Sequence, residues 1–196
     1  MKRNLITAVL MTVATTILLG IIYPLVVTGL AQLIFPRQAN GQLIHKDGKI
    51  VGSSIIGQGF SGAGYFHSRP SAAGNGYDAA NSNGSQFGPT NQKLIDRVKG
   101  DLATAQADRP GVLVPIDLVT ASASGLDPHI TPAAAEFQLS RVAKERGTSV
   151  DRLRALVAQH TEGRQLGFLG EPRVNVLELN LDLDQQFSAY KQAKVQ

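Results

Sequence analysis

Cysteine is absent from the 196 residues. That excludes disulfides and thiolate metal centres, and leaves zinc or iron–sulfur chemistry with only histidines and carboxylates to draw on. The four histidines stand at positions 45, 67, 129 and 160, with no His-x-x-x-His pair to build a site around. A Gly-x4-Gly-Lys-Ser/Thr phosphate loop is missing, and so is a Gly-x-Ser-x-Gly nucleophile elbow. Excess charge of one sign is missing too. Net charge is +4, but Lys2 and Arg3 precede an apolar run, and beyond them 17 basic residues face 15 acidic ones. So small a surplus, spread along the chain, is no footprint for nucleic acid.

The longest absence is of charge itself. From Leu5 to Phe35 the chain reads "LITAVLMTVATTILLGIIYPLVVTGLAQLIF", 31 residues without one charged side chain. About 20 residues of helix, rising about 1.5 Å each, cross a hydrocarbon core of roughly 30 Å, so the run is ample for a membrane span with tilt. A cleaved signal peptide has an apolar region of only about 7–15 residues, which favours an uncleaved anchor. Basic residues flank both ends almost equally, so the positive-inside count does not orient the helix. The order of a short basic tail, an apolar run and then a long domain places the N-terminus in the cytoplasm and the domain outside it.

Every fourth residue of the span is small, polar or helix-bending: Ala8, Thr12, Thr16, Gly20, Pro24, Thr28 and Gln32. Such a row lets a second helix approach closely, and its threonines and glutamine can hydrogen-bond across the contact. Ala8, Thr12, Thr16, Gly20 and Thr28 are the expected packing positions; the plainer alternative is that membrane helices are simply rich in these residues. Pro24 is expected to kink the helix near Gly20, where its missing N–H and its ring disturb the preceding turn.

The boundaries expected are an anchor over 1–36 and an α+β domain, small and mixed, over 37–196. Within it, 50–91 is unusual: only Arg69 and Asp78 are charged, nine residues are glycine, and five of the eleven aromatics are present. Disordered segments are poor in aromatics, so this one reads as ordered and packed without regular secondary structure. Arg69 and Asp78 become either an internal pair or a contact for a partner. The rest is more conventional. Helices are expected from about Gln92 to Pro110, with Thr90 or Asn91 as cap and Leu94, Ile95, Val98, Leu102 and Ala105 on one stripe. A second has Thr131 at the cap, Pro132 first and Gly147 beyond the end. A third opens on a Thr148–Asp151 capping pair. "GVLVPIDLVT" and the alternating Leu177–Asp184 read as strands.

Ser68, Ser71, Ser122, Ser124, His67, His129, Asp78 and Asp127 could be combined into a nucleophilic triad, since triads are defined by geometry. A membrane-anchored serine hydrolase is therefore the alternative function, although no motif selects it. Asp127 and His129 read better as residues that end a turn before a helix. The connection carrying His160, Glu162, Arg164 and Gln165 is either a binding loop or a strand entry.

The motifs "YPLVVTGLAQLIFP", "YFHSRPSAAGNGYDA", "GPTN", "VTASASGLDPHITPAAA" and "QHTEGRQLGFLGEPRVNVLELN" resemble the C subunit of the Kdp high-affinity potassium-transporting ATPase of bacteria. The likeness runs from about Leu18 to Asp184; "HKDGKI" and the C-terminal tail are the less typical parts. It implies a single-pass inner-membrane subunit assembled with a channel-like potassium-binding subunit and a P-type ATPase subunit. It further implies a catalytic-chaperone role, raising the ATP affinity of the pump, so ATP enters through the resemblance alone. No "DKTGT" phosphorylation motif occurs, and one helix cannot enclose an ion path. Neither hydrolysis nor transport is expected to reside in this chain by itself.

Overall fold

In the computed structural model residues 1–187 are described; the end of the expected domain and its C-terminal tail, 188–196, lie outside the described residues. The chain falls into two compact units, one spanning Met1–Ser53 and the other beginning at Ser54.

The first unit is dominated by one helix, Lys2–Ile34, long and apolar enough to cross a membrane, with none of its residues buried. It consists of α1 (Lys2–Ile17), a π-helical turn (Leu18–Ile22) and α2 (Tyr23–Ile34). The turn answers to Pro24. A proline cannot donate to the carbonyl one turn back, and its ring crowds that carbonyl, so the preceding turn is rewound. Gly20, where the disturbance is expected, lies inside it. After a short α3 (Pro36–Ala39), β1 (Leu43–Lys46) and β2 (Lys49–Ser53) form an antiparallel hairpin. Its turn is Asp47-Gly48, both left-handed at φ 51° and 74°, the pairing that matches strand twist.

The second unit is mixed helix and strand. A three-stranded antiparallel sheet has β5 (Arg173–Asn175) at its centre, between β3 (His129–Ile130) and β4 (Thr161–Glu162). The helices are α4 (Gln92–Asp108), α5 (Pro132–Arg146), α6 (Val150–Gln159) and α7 (Val176–Gln186). Leu139 and Val142 of α5, Leu153 and Leu156 of α6, Val174 of β5 and Leu179 and Leu183 of α7 close one core around Phe66.

Several expected caps appear as read. Asn91 accepts from Lys93 N–H, Thr131 accepts from Ala134 N–H, and Gly147 ends α5 in the left-handed region at φ 63°. Asp117, buried, accepts from both the Thr131 N–H and its hydroxyl, a relay the sequence does not announce. The α6 cap is Ser149 rather than Thr148, since Ser149 accepts from Arg152 N–H. The α4 stripe of Leu94, Ile95, Val98, Leu102 and Ala105 is only half-buried.

Two expected strands are not strands. Leu177–Asp184 belongs to α7, capped by Asn175, with Val176, Leu177, Leu179, Asn180 and Leu183 buried. Leucine on alternate positions fills a helical face as readily as a strand face here, and Leu, Glu and Asp lack the β-branching that favours a strand. In "GVLVPIDLVT", Pro115 precedes a 3-10 turn, Ile116–Leu118, and Leu113 and Ile116 face solvent. Proline withholds a ladder donor, and among the described residues no strand pairs with this stretch.

Candidate functional site

The glycine-rich segment is fastened by side-chain amides. Consecutive residues of an extended chain turn their backbone groups to opposite sides. Phe66 presents its N–H and C=O to the carboxamide of Asn180 from α7, both at 2.9 Å. His67 presents its own pair to Gln138 from α5, at 2.7 and 3.1 Å. Two amides thus take the place of neighbouring strands. A third, Asn175, donates to the Ser54 carbonyl at 2.7 Å while its oxygen caps α7.

Glycine is required where this segment meets 121–129. A Cβ on Gly57 would lie 2.5 Å from the Asp127 carbonyl oxygen, and one on Gly125, at φ 67°, would lie 2.6 Å from that of Asn83. Of the five rings, Phe66 is fully buried, Phe60, Tyr65 and Tyr77 are half-buried, and Phe87 is exposed.

Arg69 and Asp78 do not pair with each other. Arg69 binds Asp127 at 3.0 Å and the Thr120 carbonyl, while the Tyr77 hydroxyl donates to the Arg69 carbonyl. Asp78 caps the 3-10 turn Ala79–Asn81, accepting from Ala80 N–H and the Asn81 side chain. The Asn81 amide, with the Ala80 N–H behind it, holds the Asp78 carboxyl below its ordinary range. At Asp127 burial opposes ionisation, but the hydrogen bonds from His129 and Arg69 together outweigh it and its pKa is lowered. Asp127 and His129 indeed orient the chain before α5, with His129 N–H donating to the Asp127 side chain.

The candidate nucleophiles are structural ties. Ser71 donates to the Gly125 carbonyl at 2.6 Å and accepts from the N–H groups of Ala73 and Tyr77. Ser68 donates to the Gln58 carbonyl, and Ser124 accepts from Leu126 N–H beside Ser122. His67 sits by Gly62, its Nε2 at 3.1 Å from that carbonyl, in a cleft of about 280 Å³ shared with Asp108, Phe137 and Arg141.

Burial, with the Arg141 guanidinium next in weight, holds the His67 imidazole below its usual 6.5. The unfolded chain therefore takes up a proton near pH 6.5 that the folded chain refuses, so stability is lost as pH falls below that value and is untouched above it. Thermal unfolding of the full chain in detergent should fall more steeply between pH 6.5 and 5 for the native protein than for His67→Gln.

The polar connection is an ion-paired hairpin. His160 Nε2 lies 3.0 Å from Asp182, Glu162 pairs with Arg173 at 2.8 Å, and Arg164 pairs with Glu171 at 2.8 Å. Gln165 exchanges two backbone hydrogen bonds with Leu169. The strand entry is seen, since Glu162 ends β4, and residues 163–170 beyond it are exposed. Among the described residues no group of three or more histidines or carboxylates could hold a metal ion.

On the membrane helix, the Thr12 hydroxyl donates back to the Ala8 carbonyl at 2.9 Å, and the Gln32 carboxamide pairs with that of Asn40. These two polar members of the row are satisfied within the unit. At Gly20, in the same row, an added Cβ would meet only the Thr16 methyl, at 3.9 Å.

The class defined by these features is an α+β protein with one helix long and apolar enough to cross a membrane and a domain whose polar groups chiefly hold its own backbone. The model of the family described as "K+-transporting ATPase, c chain" matches residues 5–185, and the chain belongs to that family. It is 68% identical over 184 residues to the potassium-transporting ATPase KdpC subunit of Koribacter versatilis, covering 94% of this chain and 95% of that one. To the subunits of the same description from Acidobacterium capsulatum and Rhodospirillum rubrum it is 60% and 56% identical, covering 93% and 95% of this chain and 98% of each relative. It is thus a subunit of the K+-transporting ATPase complex.

Proposed function

We propose that this chain is the non-catalytic accessory subunit of that complex, raising the ATP affinity of the P-type ATPase subunit and stabilising its assembly with the channel-like potassium-binding subunit. The anchor over 1–36 lies in the bacterial inner membrane with Lys2 and Arg3 in the cytoplasm, and the domain over 37–196 is extracytoplasmic. The observation that carries the reading is the uncovered apolar helix Lys2–Ile34 joined to a domain whose serines and amides serve as backbone ties. Placed outside the cell, the domain cannot touch cytoplasmic ATP. Its effect on ATP affinity is then a coupling free energy carried through the partners, typically about 1–3 kcal/mol, or roughly 5–150-fold.

The test is mild-detergent purification of the tagged full chain, followed by ATP titration of the complex with and without it. Co-purification of both subunits and a weaker ATP affinity without the chain are expected. A chain that arrives alone sinks the assembly; equal affinities sink the chaperone role. Protease added to right-side-out vesicles should cleave the domain without lysis, and protection until lysis would reverse the topology.

The helix face is tested separately. Gly20→Leu places a bulky side chain beside Thr16 on the four-spaced row, and recovery of the partner subunits is expected to fall several-fold while the domain's melting temperature stays unchanged. Undiminished recovery would assign contact to another face.

A further inference from the structure

The hairpin between β4 and β5 ends in a tip without charge, Gln165 to Gly170, standing on two rungs of ion pairs, Arg164–Glu171 and Glu162–Arg173. Leu166 is 82% exposed and Phe168 69%. The tip is not loose. Gln165 and Leu169 exchange two backbone hydrogen bonds of 2.9 Å, and Phe168 N–H donates to the Gln165 carbonyl.

Leu166 and Gly167 both lie in the left-handed region, at φ 53° and 83°. At the first of two such positions asparagine, aspartate or glycine is preferred, because a leucine Cβ crowds its own backbone there. Local stability therefore does not select leucine at this place. A second apolar projection lies in the chain before β3, where Leu113 is 93% exposed and Ile116 73%. Asp117, next to Ile116, lines one cleft with Glu171 and Arg173 at the base of the hairpin.

We infer that the Leu166–Phe168 tip is the domain's docking element for an apolar pocket on the extramembranous surface of another subunit of the K+-transporting ATPase complex. This rests on the assembly reading above and adds to it a contact remote in sequence from the membrane helix. A protein partner suits the charges better than lipid does. The rungs below the tip hold two arginines against two glutamates and are neutral in sum, with Glu171 three-quarters exposed. A rim that is neutral in sum offers an anionic headgroup layer no net attraction, whereas membrane-seeking loops carry a cationic surplus. Aromatic residues such as phenylalanine are enriched at the buried core of protein–protein interfaces, with a polar rim around them.

The experiment uses the tagged full chain in membranes containing the whole complex, with a photo-crosslinking amino acid replacing Phe168. A crosslink to one identified subunit of the complex is expected. Leu166→Asn should relieve the local backbone conflict, so its melting temperature should be equal to or above the native value. Its crosslinking yield at 168 should fall, and Phe168→Ser should lower retention of that subunit in detergent about tenfold. A tip that crosslinks only to lipid, or to nothing, while the subunits still co-purify overturns the docking inference and leaves the assembly reading standing. Failure of any subunit to co-purify overturns both.

Discussion

Arg146→Met is expected to cost the second unit about 3–5 kcal/mol, because it strips the partner from a buried charge. The Arg146 side chain has no exposed surface, and Asp184, 3.0 Å from its Nη1, is only 8% exposed. The guanidinium also donates to the Gly64 carbonyl at 2.6 Å and to the Phe187 carbonyl, and it lies 4.6 Å from the centre of the Tyr65 ring. The Tyr65 hydroxyl in turn donates to Asp184. One cation thus joins the end of α5, the end of α7 and the glycine-rich segment. Methionine fills the aliphatic part of that space but leaves the Asp184 carboxylate without its counter-charge. A typical domain holds about 5–15 kcal/mol in all, so the loss is a large share. The double variant Arg146→Met with Asp184→Leu should recover much of it, since a well-packed apolar pair can replace a buried ion pair at little cost. Chemical denaturation of the full chain in detergent measures both; a single variant within about 1 kcal/mol of native would show that the network carries little stability.

How much of this was legible in the sequence divides along the range of the interaction. The caps at Asn91 and Thr131 and the Gly147 terminus follow from signals a few residues long and the apolar helix Lys2–Ile34 from one uncharged run, and they stand where those signals put them. The Asp47-Gly48 hairpin was equally legible, an Asp-Gly pair between two short runs with strand preference, yet its runs are brief enough to be absorbed into the irregular stretch that follows. Leu177–Asp184 reads as a strand because its leucines alternate, but with Val176, Asn180 and Leu183 at helical spacing Leu177 and Leu179 fall on one buried helical face, and the missing β-branching and the Asn175 cap both favour the helix.

The pairings that define the candidate site were not legible at all. Arg69 reaches across 58 positions to Asp127, and Asn180 across 114 to Phe66. No local spacing encodes such partners. Polar residues on otherwise apolar faces were the available clue: Gln138 on α5 and Asn180 on α7 interrupt buried stripes, and a buried carboxamide must find both a donor and an acceptor. The projecting tip gave a similar warning, since Leu-Gly-Phe-Leu in a loop has no core to enter.

That requirement on buried amides gives the second large prediction. Asn180→Leu is expected to destabilise the second unit by roughly 2–6 kcal/mol, because the Phe66 N–H and C=O are each left unpaired and an orphaned buried polar group costs about 1–3 kcal/mol. Gln138→Leu should cost less. Its clients on His67 are half-buried, so water can reach part of what the amide abandons. Asn180→Asp separates the two bonds. Its carboxylate still accepts from the Phe66 N–H, but it donates nothing to the Phe66 carbonyl and sets a charge against it where exposure is 1%. At neutral pH the aspartate variant should therefore be at least as unstable as the leucine one. Burial raises the pKa of such a carboxyl, so on acidification it takes up a proton in the folded state first and regains the lost donor. The gap between Asn180→Asp and native should narrow from pH 7 to pH 5, measured as the difference in denaturation midpoint to remove the His67 slope common to both. A gap that stays constant or widens would mean that the Phe66 carbonyl is satisfied by something other than the amide.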